Sequence, residues 1–487
     1  MAVAFLALLL LLLLSGSPPS AFAAGDGEHG YTLVEISSLQ EKDVCSGHRV
    51  PVPPNRTWVP LSLLHGSCSP ASSARAKPTL AELLRHDEHR VEDIHRRLSG
   101  FADEKRKKIK KRAAGSMSTQ MNSGPVLDVN MGTLSSTSSQ SEVVFQPTAT
   151  GGSSIRRRWR PPGVRQTVMV DTASDVPWVQ CRPCSKPPCR SFDPARSNTY
   201  AAFRCNSTDC ARLGPNANGC FRNQCQYRAS SPDGLTSTGT YGSDVLAIGP
   251  ARTIRRFKFG CSRAMRGSIG SAAAGGIMAL GGGAQTTLVA QAASAFGNAF
   301  SYCIPPTPSY PGFFTLGSPI AAASRRFVRT PLVRDGRSPA TFHRVLLRAV
   351  SVAGRTLDVP PQLFAAGTVL DSRTTITRLP LTAYQALRAA FRSSMAAYRK
   401  APRKGILDTC FNFTGVPVVN LPKVALVFDR NAVLELDPSG ILFNDCLAFA
   451  SNADDTAPGI LGNVQQQTIE VLYDLATSSV GFRRLAC

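Results

Sequence analysis

Val170-Asp171-Thr172-Ala173-Ser174-Asp175 and Leu370-Asp371-Ser372-Arg373-Thr374 are the two stretches on which the reading of this chain turns. Each sets an aspartate and then a hydroxyl residue at the end of an apolar β-branched run, Thr167-Val168-Met169-Val170 and Gly367-Thr368-Val369-Leu370. Two carboxylates about 3 Å apart cannot both ionise, so they share a proton; one serves as base toward a water, the other as acid toward a carbonyl. The apparent pKa values then belong to the pair. The hydroxyls of Thr172, Ser174, Ser372 and Thr374 can donate hydrogen bonds that hold the carboxylates. An Asp before Ser or Thr is common in turns, so one copy says little. The duplication is what points to a water-activating dyad of Asp171 and Asp371.

A second feature repeats in step with the first. Gly276-Ile277-Met278-Ala279-Leu280-Gly281 follows the first aspartate, and Gly459-Ile460-Leu461-Gly462 follows the second at a similar gap. Two similar lobes with a cleft between them are therefore expected. From about Ser154 onward, short runs rich in Val, Ile, Phe, Leu and Thr alternate with Gly, Pro, Asn and Asp, which predicts mostly β structure. The clearest helical pattern there is Ala383 to Tyr398, after Pro380-Leu381-Thr382.

The chain has 487 residues, 43% hydrophobic and 18% charged, enough for two packed lobes and extra segments. Leu6 to Leu14 is an unbroken apolar run followed by small residues at Ala21-Phe22-Ala23-Ala24, the pattern of a secretory signal and too short to span a bilayer. No other stretch reaches membrane length. Fourteen cysteines suit an oxidising compartment. Cys181, Cys184, Cys189, Cys205, Cys210, Cys220 and Cys225 crowd one segment, and no second pair at ligand spacing follows Cys181-x-x-Cys184, so disulfides are expected there and no metal. No cofactor is implied. Asn55, Asn206 and Asn412 begin glycosylation sequons. The net charge of +23 is concentrated partly in Lys105 to Arg112 and Arg156 to Arg160. Such runs can bind polyanions, but solvated or removed segments are the plainer reading.

Pro78-Thr79-Leu80-Ala81-Glu82 has capping-box spacing, with Thr79 as N-cap. Leu80, Leu83, Leu84, Val91, Ile94 and Leu98 then fall on one helical face. The expected organisation is a signal peptide over 1–24, a propeptide with this amphipathic helix over 25–112, a Ser/Thr/Gly/Asn-rich linker or processing region over 113–153, an N-terminal β lobe with a Cys-rich insertion over 154–325, and a C-terminal β lobe over 326–487.

Set beside these readings, several longer motifs carry a resemblance: DTASDVPWVQC at Asp171, SFDPARSNTYAAFRC at Ser191, FGCSRA at Phe259, FSYCIPP at Phe300, VLDSRTTITRLP at Val369, ILDTCFNFTG at Ile406 and ILGNVQQQTIEVLYDLATSSVGF at Ile460. The chain resembles the pepsin-like aspartic endopeptidases of the plant nepenthesin-type group. The region with HGSCSP at His65 and LAELLRHDEHRVEDIHRRLS resembles that group's propeptide. The resemblance implies an all-β, bilobal fold with few short helices, catalytic Asp171 and Asp371, and Thr172 and Ser372 bracing the two loops against each other. It also implies that the cysteine-rich segment is a disulfide-bound insertion; the twelve cysteines outside Cys45 and Cys68 suit six bridges. A secreted monomer acting on protein or peptide substrates follows, with apoplast before vacuole or plastid.

Four departures from the family pattern stand out. Ala173 and Arg373 occupy the glycine positions of the two aspartate motifs, and Ala279 replaces the small glycine of one supporting loop, while Gly462 is kept. Arg373 brings a permanent charge, and a nearby cation depresses carboxylate pKa values and removes the shared proton. On the flap, the hairpin expected to close over substrate, the family spacing places Ser231 at the tyrosine position and Pro232 at the next glycine, followed by Asp233 and Gly234. Arg158-Trp159-Arg160-Pro161-Pro162-Gly163 replaces the usual strand entry. The expected function is a secreted aspartic endopeptidase with an atypical site; the alternative is a catalytically inactive binding or inhibitor protein of the same fold. A nucleic-acid-associated relative exists in the group, and the secretory signal argues against that partner here.

Overall fold

The computed structural model describes residues 30–48, 57–70, 77–102, 124–133, 142–147, 153–158, 163–183, 191–249, 252–267, 274–319, 321–336 and 338–487. The apolar N-terminal run, the basic run 105–112, Asn55, Cys184 and Cys189 lie outside the described residues. Among those described, no helix is long and apolar enough to cross a membrane.

The chain is mostly β with few helices. Its first long strand, β1 (Thr57–Leu63), precedes both aspartate motifs. Helix α1 (Leu80–Ala102) follows. Its predicted cap forms: the Glu82 N–H donates to Thr79 Oγ1 at 3.3 Å, and the Glu82 carboxylate accepts from the Thr79 N–H at 2.8 Å. Leu84, Val91, Ile94 and Leu98 of the predicted face are buried, and Leu80 and Leu83 are half-buried.

Strand β2 (Pro125–Met131) falls inside the 113–153 stretch read as a linker. Val126, Leu127, Val129 and Met131 are all buried, and the strand runs antiparallel to β3 (Val164–Asp171) from Val126↔Met169 to Met131↔Val164. Its apolar residues are diluted in sequence by Ser-, Thr- and Gly-rich neighbours, which hid a short core strand. Ahead of β3, Gly163 takes φ +110, and a Cβ there would meet the Gly132 carbonyl oxygen at 2.4 Å. The atypical strand entry thus turns tightly on a residue that must be glycine.

Strands β4 (Gln224–Ser230) and β5 (Thr236–Ile248) form a hairpin, the one expected as the flap, closed at Ser230↔Thr236. In its tip the Ser231 N–H donates to the Leu235 carbonyl at 2.9 Å and the Gly234 N–H to the Ser231 carbonyl at 3.1 Å, with Gly234 at φ +77. Strand β6 (Gly276–Ala279) then runs parallel to β3, Ala279 opposite Asp171. After β7 (Ala299–Cys303) and β8 (Gly312–Leu316), the second half repeats the plan. Strand β9 (Thr368–Leu370) ends at Asp371, and β10 (Gly459–Leu461) runs parallel to it. Between them, α2 (Leu381–Ser394) starts two residues earlier than its sequence pattern, with Pro380 as N-cap.

The two halves share one sheet. Its order is Val328–Pro331, β12 (Ser479–Arg483), β11 (Glu470–Asp474), β7, β8, β1, β2, β3 and β6, and it continues through Trp178–Gln180 and Arg252–Arg266 to the hairpin strands β5 and β4 and then Ala217–Phe221. β1 lies inside the first half's part of this sheet, pairing with β8 from Thr57↔Leu316 to Leu61↔Gly312 and with β2 from Leu61↔Leu127 to Leu63↔Pro125, while the second half joins where β11 pairs with β7. Six disulfides join described residues: Cys45–Cys68, Cys181–Cys261, Cys205–Cys220, Cys210–Cys225, Cys303–Cys487 and Cys410–Cys446. Cys181 is thus half of a bridge to a core strand.

Candidate active site

Parallel pairing of β3 with β6 and of β9 with β10 ends each aspartate strand in a buried loop, and the two loops interlock. The Thr172 hydroxyl donates to the Leu370 carbonyl at 3.2 Å and accepts from the Ser372 N–H at 3.0 Å, while the Ser372 hydroxyl donates to the Val170 carbonyl at 3.0 Å. The outer hydroxyls hold the carboxylates themselves. Ser174 Oγ donates to Asp171 Oδ2 at 2.9 Å and Thr374 Oγ1 to Asp371 Oδ2 at 2.5 Å. The Ala173 N–H reaches Asp171 Oδ1 at 2.9 Å, and the Thr374 N–H reaches Asp371 Oδ2 at 2.9 Å. Asp171 and Asp371 are completely buried.

That burial comes in part from α1. Arg90 projects from the helix onto both aspartates: its Nη2 donates to Asp171 Oδ1 at 2.9 Å and to Asp371 Oδ1 at 2.7 Å, and its Nε to Asp371 Oδ2 at 2.6 Å. One guanidinium nitrogen bridges the pair. Burial by itself would raise the Asp171 carboxyl, but Arg90, then Arg373 and the Ala173 N–H, outweigh it and hold it well below the usual carboxylate range. Burial acts against the Arg90 charge, and Asp171, Asp371 and Asp233 overcome it, so the guanidinium stays charged.

Arg373 also has a defined place. Its Nη1 donates to Asp171 Oδ2 at 2.8 Å, and its Nη2 donates to Asp233 Oδ2 at the flap tip. Glycine at 124 makes room for it, since a Cβ there would stand 3.0 Å from Arg373 Cγ. Arg90 Nη1 lies 3.9 Å from the same Asp233 oxygen. The site is therefore three carboxylates threaded by two guanidiniums, buried together. Breaking such a cluster by removing one partner is costly, because a buried charge is left uncompensated.

The flap residues come together over the first aspartate. Ser231 Oγ lies 3.4 Å from Ser174 Oγ, and Arg97 of α1 donates to the Ser230 carbonyl at 3.1 Å. Tyr227 and Tyr241 take no part at the tip: both are buried in the core beneath the hairpin, Tyr227 bonded to Ser237 at 2.5 Å. The other substituted glycines are accommodated. Ala173 joins an apolar cluster with Val91, Ile94 and Leu98 of α1. Ala279 is buried opposite Asp171 without a left-handed backbone, whereas a Cβ at Gly462 would meet the Thr375 carbonyl at 2.6 Å. Among the sequons, Asn206 and Asn412 are exposed.

Arg90 was not singled out by the sequence reading. It follows a negative residue on the same buried face: Asp87, whose carboxylate accepts from the Thr375 N–H, from the Ile376 N–H at 3.4 Å and from Arg378 Nη2 at 3.1 Å. The available signal was that Leu84, Asp87, Val91, Ile94 and Leu98 run at three- and four-residue intervals. A charge interrupting an apolar stripe marks a partner awaiting it.

Fold and dyad together define a pepsin-like protein. The comparisons agree. Residues 155–318 match the family model described as xylanase inhibitor N-terminal, and residues 343–484 match its C-terminal counterpart. An aspartyl protease family protein of Arabidopsis thaliana is 34% identical over 439 residues, covering 87% of this chain and 86% of the relative. The aspartic proteinase nepenthesin-2 of Nepenthes gracilis is 29% identical over 337 residues, covering 66% of this chain and 74% of the relative. Among solved structures, soybean basic 7S globulin superposes with a TM-score of 0.54 at 22% identity, covering 74% of this chain and 95% of the globulin. The chain belongs to the pepsin-like aspartic protease family of plants, in the nepenthesin-type group.

Proposed function

We propose that this chain is the zymogen of a secreted aspartic endopeptidase, in which Asp171 and Asp371 activate a water for attack on a peptide carbonyl once Arg90 withdraws. The observation that carries the reading is the pairing of Arg373 with Asp233. An uncompensated guanidinium beside the dyad would strip it of the shared proton. Here the guanidinium lies between Asp171 and Asp233, so its charge is divided with a carboxylate outside the dyad. When Arg90 leaves, three carboxylates face one guanidinium, and the excess negative charge favours uptake of the one proton that acid–base catalysis by the pair requires. α1 is then a plug, and Arg97 on the flap and His95 on the Pro458 carbonyl (3.0 Å) are further points that hold it. Bridged cysteines and exposed Asn206 and Asn412 fit the secretory route.

One contact favours the alternative, an inactive binding protein: Arg373 Nη1 donates to Asp171 at 2.8 Å, and neither partner belongs to the helix. The test is to acidify the purified full-length chain and follow digestion of a denatured protein, with and without a transition-state inhibitor of aspartic peptidases. Inhibitable cleavage by the natural chain, absent in Asp171→Asn, is expected. Equal inertness of both, with cleavage gained only in Arg373→Gly, would hand the case to the binding reading.

A further inference from the structure

The groove wall that receives Asp87 belongs to the mature part of the chain, and it is built to hold a carboxylate. Two backbone N–H groups, from Thr375 and Ile376, and the Arg378 guanidinium converge on Asp87, whose side chain is fully buried. These donors continue the catalytic loop Asp371–Thr374 into strand Thr377–Leu379. They are oversupplied: the buried Thr375 Oγ1 and Arg378 Nε have no hydrogen-bond partner among the described residues. A helix that only had to fill space would bury a leucine in this position of its stripe. Burial indeed pushes the Asp87 carboxyl up, opposed by Arg378 and the two N–H groups. The aspartate fits because the wall presents positive charge and donors.

From this we infer that Thr375, Ile376 and Arg378 form a substrate subsite for an acidic side chain, which Asp87 occupies until the helix leaves. The inference rests on the endopeptidase reading and deepens it. Asp87 and Arg90 are three residues apart on a helix, an axial step of about 4.5 Å at 1.5 Å per residue. An extended substrate advances about 3.3 Å per residue. With the scissile peptide at the Arg90 position, the acidic residue falls within two positions of the cleaved bond. Arg378 reads it through charge-assisted hydrogen bonds that a carboxamide cannot match.

Two measurements test this, one of which needs no turnover. The acid-matured chain is given a library of C-terminally amidated peptides, so that side chains supply the only carboxylates. At one position within two of the cut, Asp or Glu raises kcat/KM about tenfold over Asn or Gln, and in Arg378→Gln that ratio falls to near one. In the full-length chain at neutral pH, amide exchange of residues 80–102 is followed in wild type, Asp87→Asn and Asp87→Leu. Both variants lose protection, by about tenfold, because neither a neutral carboxamide, which brings donors of its own, nor an apolar side chain replaces a carboxylate in a donor-lined pocket. Cleavage without any acidic preference overturns the subsite while leaving the peptidase reading intact. A chain that cuts nothing but exchanges faster in Asp87→Leu keeps the anion pocket and loses the peptidase reading. Protection in Asp87→Leu equal to or above wild type overturns the pocket whatever the library shows.

Discussion

Arg373 is the residue at which family pattern and local physics part company. Read along the chain, it places a fixed charge beside an aspartate whose chemistry needs a mobile proton. In space it is half of a buried pair with Asp233, seated over Gly124. A double-mutant cycle separates these descriptions. Asp233→Asn leaves the buried guanidinium short of a partner and lowers the unfolding free energy of the full-length chain by about 3 kcal/mol. Arg373→Gly alone also destabilises, by leaving buried Asp233 with only the more distant Arg90 at 3.9 Å, and the double variant recovers most of either loss. Strict additivity in chemical denaturation would mean the two side chains do not act as a pair. The dyad and its four hydroxyls were legible because they recur as two copies of a local pattern. The Asp233–Arg373 and Arg90 contacts were not, since each joins residues far apart in sequence that share no periodicity.

At the scale of the element, α1 shows what a pattern can and cannot say. Its cap and apolar face were readable from the spacing of Thr79, Glu82 and the leucines. What the face meets was not, because an amphipathic stripe specifies burial without naming the surface that buries it. The charges it carries make its docking sensitive to pH. Burial lowers the pKa of His95 and of His86. Asp171 is held low chiefly by Arg90, against its burial. All three take up a proton more readily with the helix undocked, so docking is fully stable above about pH 6.5 and weakens as pH falls, first through the histidine range and then through about pH 4. Asp87, raised by burial, opposes this only in the lower range. After correction for intrinsic exchange, protection of residues 80–102 should fall between pH 7.5 and 5, by up to about tenfold per pH unit for each proton taken up. The decline over that interval should flatten in a His86→Gln/His95→Gln variant. A flat wild-type profile would sink the electrostatic account of release.

For the whole molecule, the governing feature is that β1 links β8 to β2 within the one sheet that both halves enter. Leu61, fully buried and registered with both Gly312 and Leu127, touches each side. Leu61→Ala should cost about 3 kcal/mol in denaturant unfolding, as a cavity at a site that cannot collapse without separating two strands; a loss below about 0.5 kcal/mol would show the packing around β1 to be slack. By itself the sequence determined the duplicated aspartate turns, the mostly β composition, the cysteine-rich segment and a capped helix ahead of them. These are local, and short-range sterics, periodicity and turn chemistry write them into neighbouring residues. Only the tertiary structure decided that the helix lies on the dyad, that Arg90 bridges both aspartates, that Arg373 is answered by Asp233 and that β1 closes the central sheet. Those outcomes depend on Coulombic and strand pairings between residues scores to hundreds of positions apart, which exist only once the chain has folded.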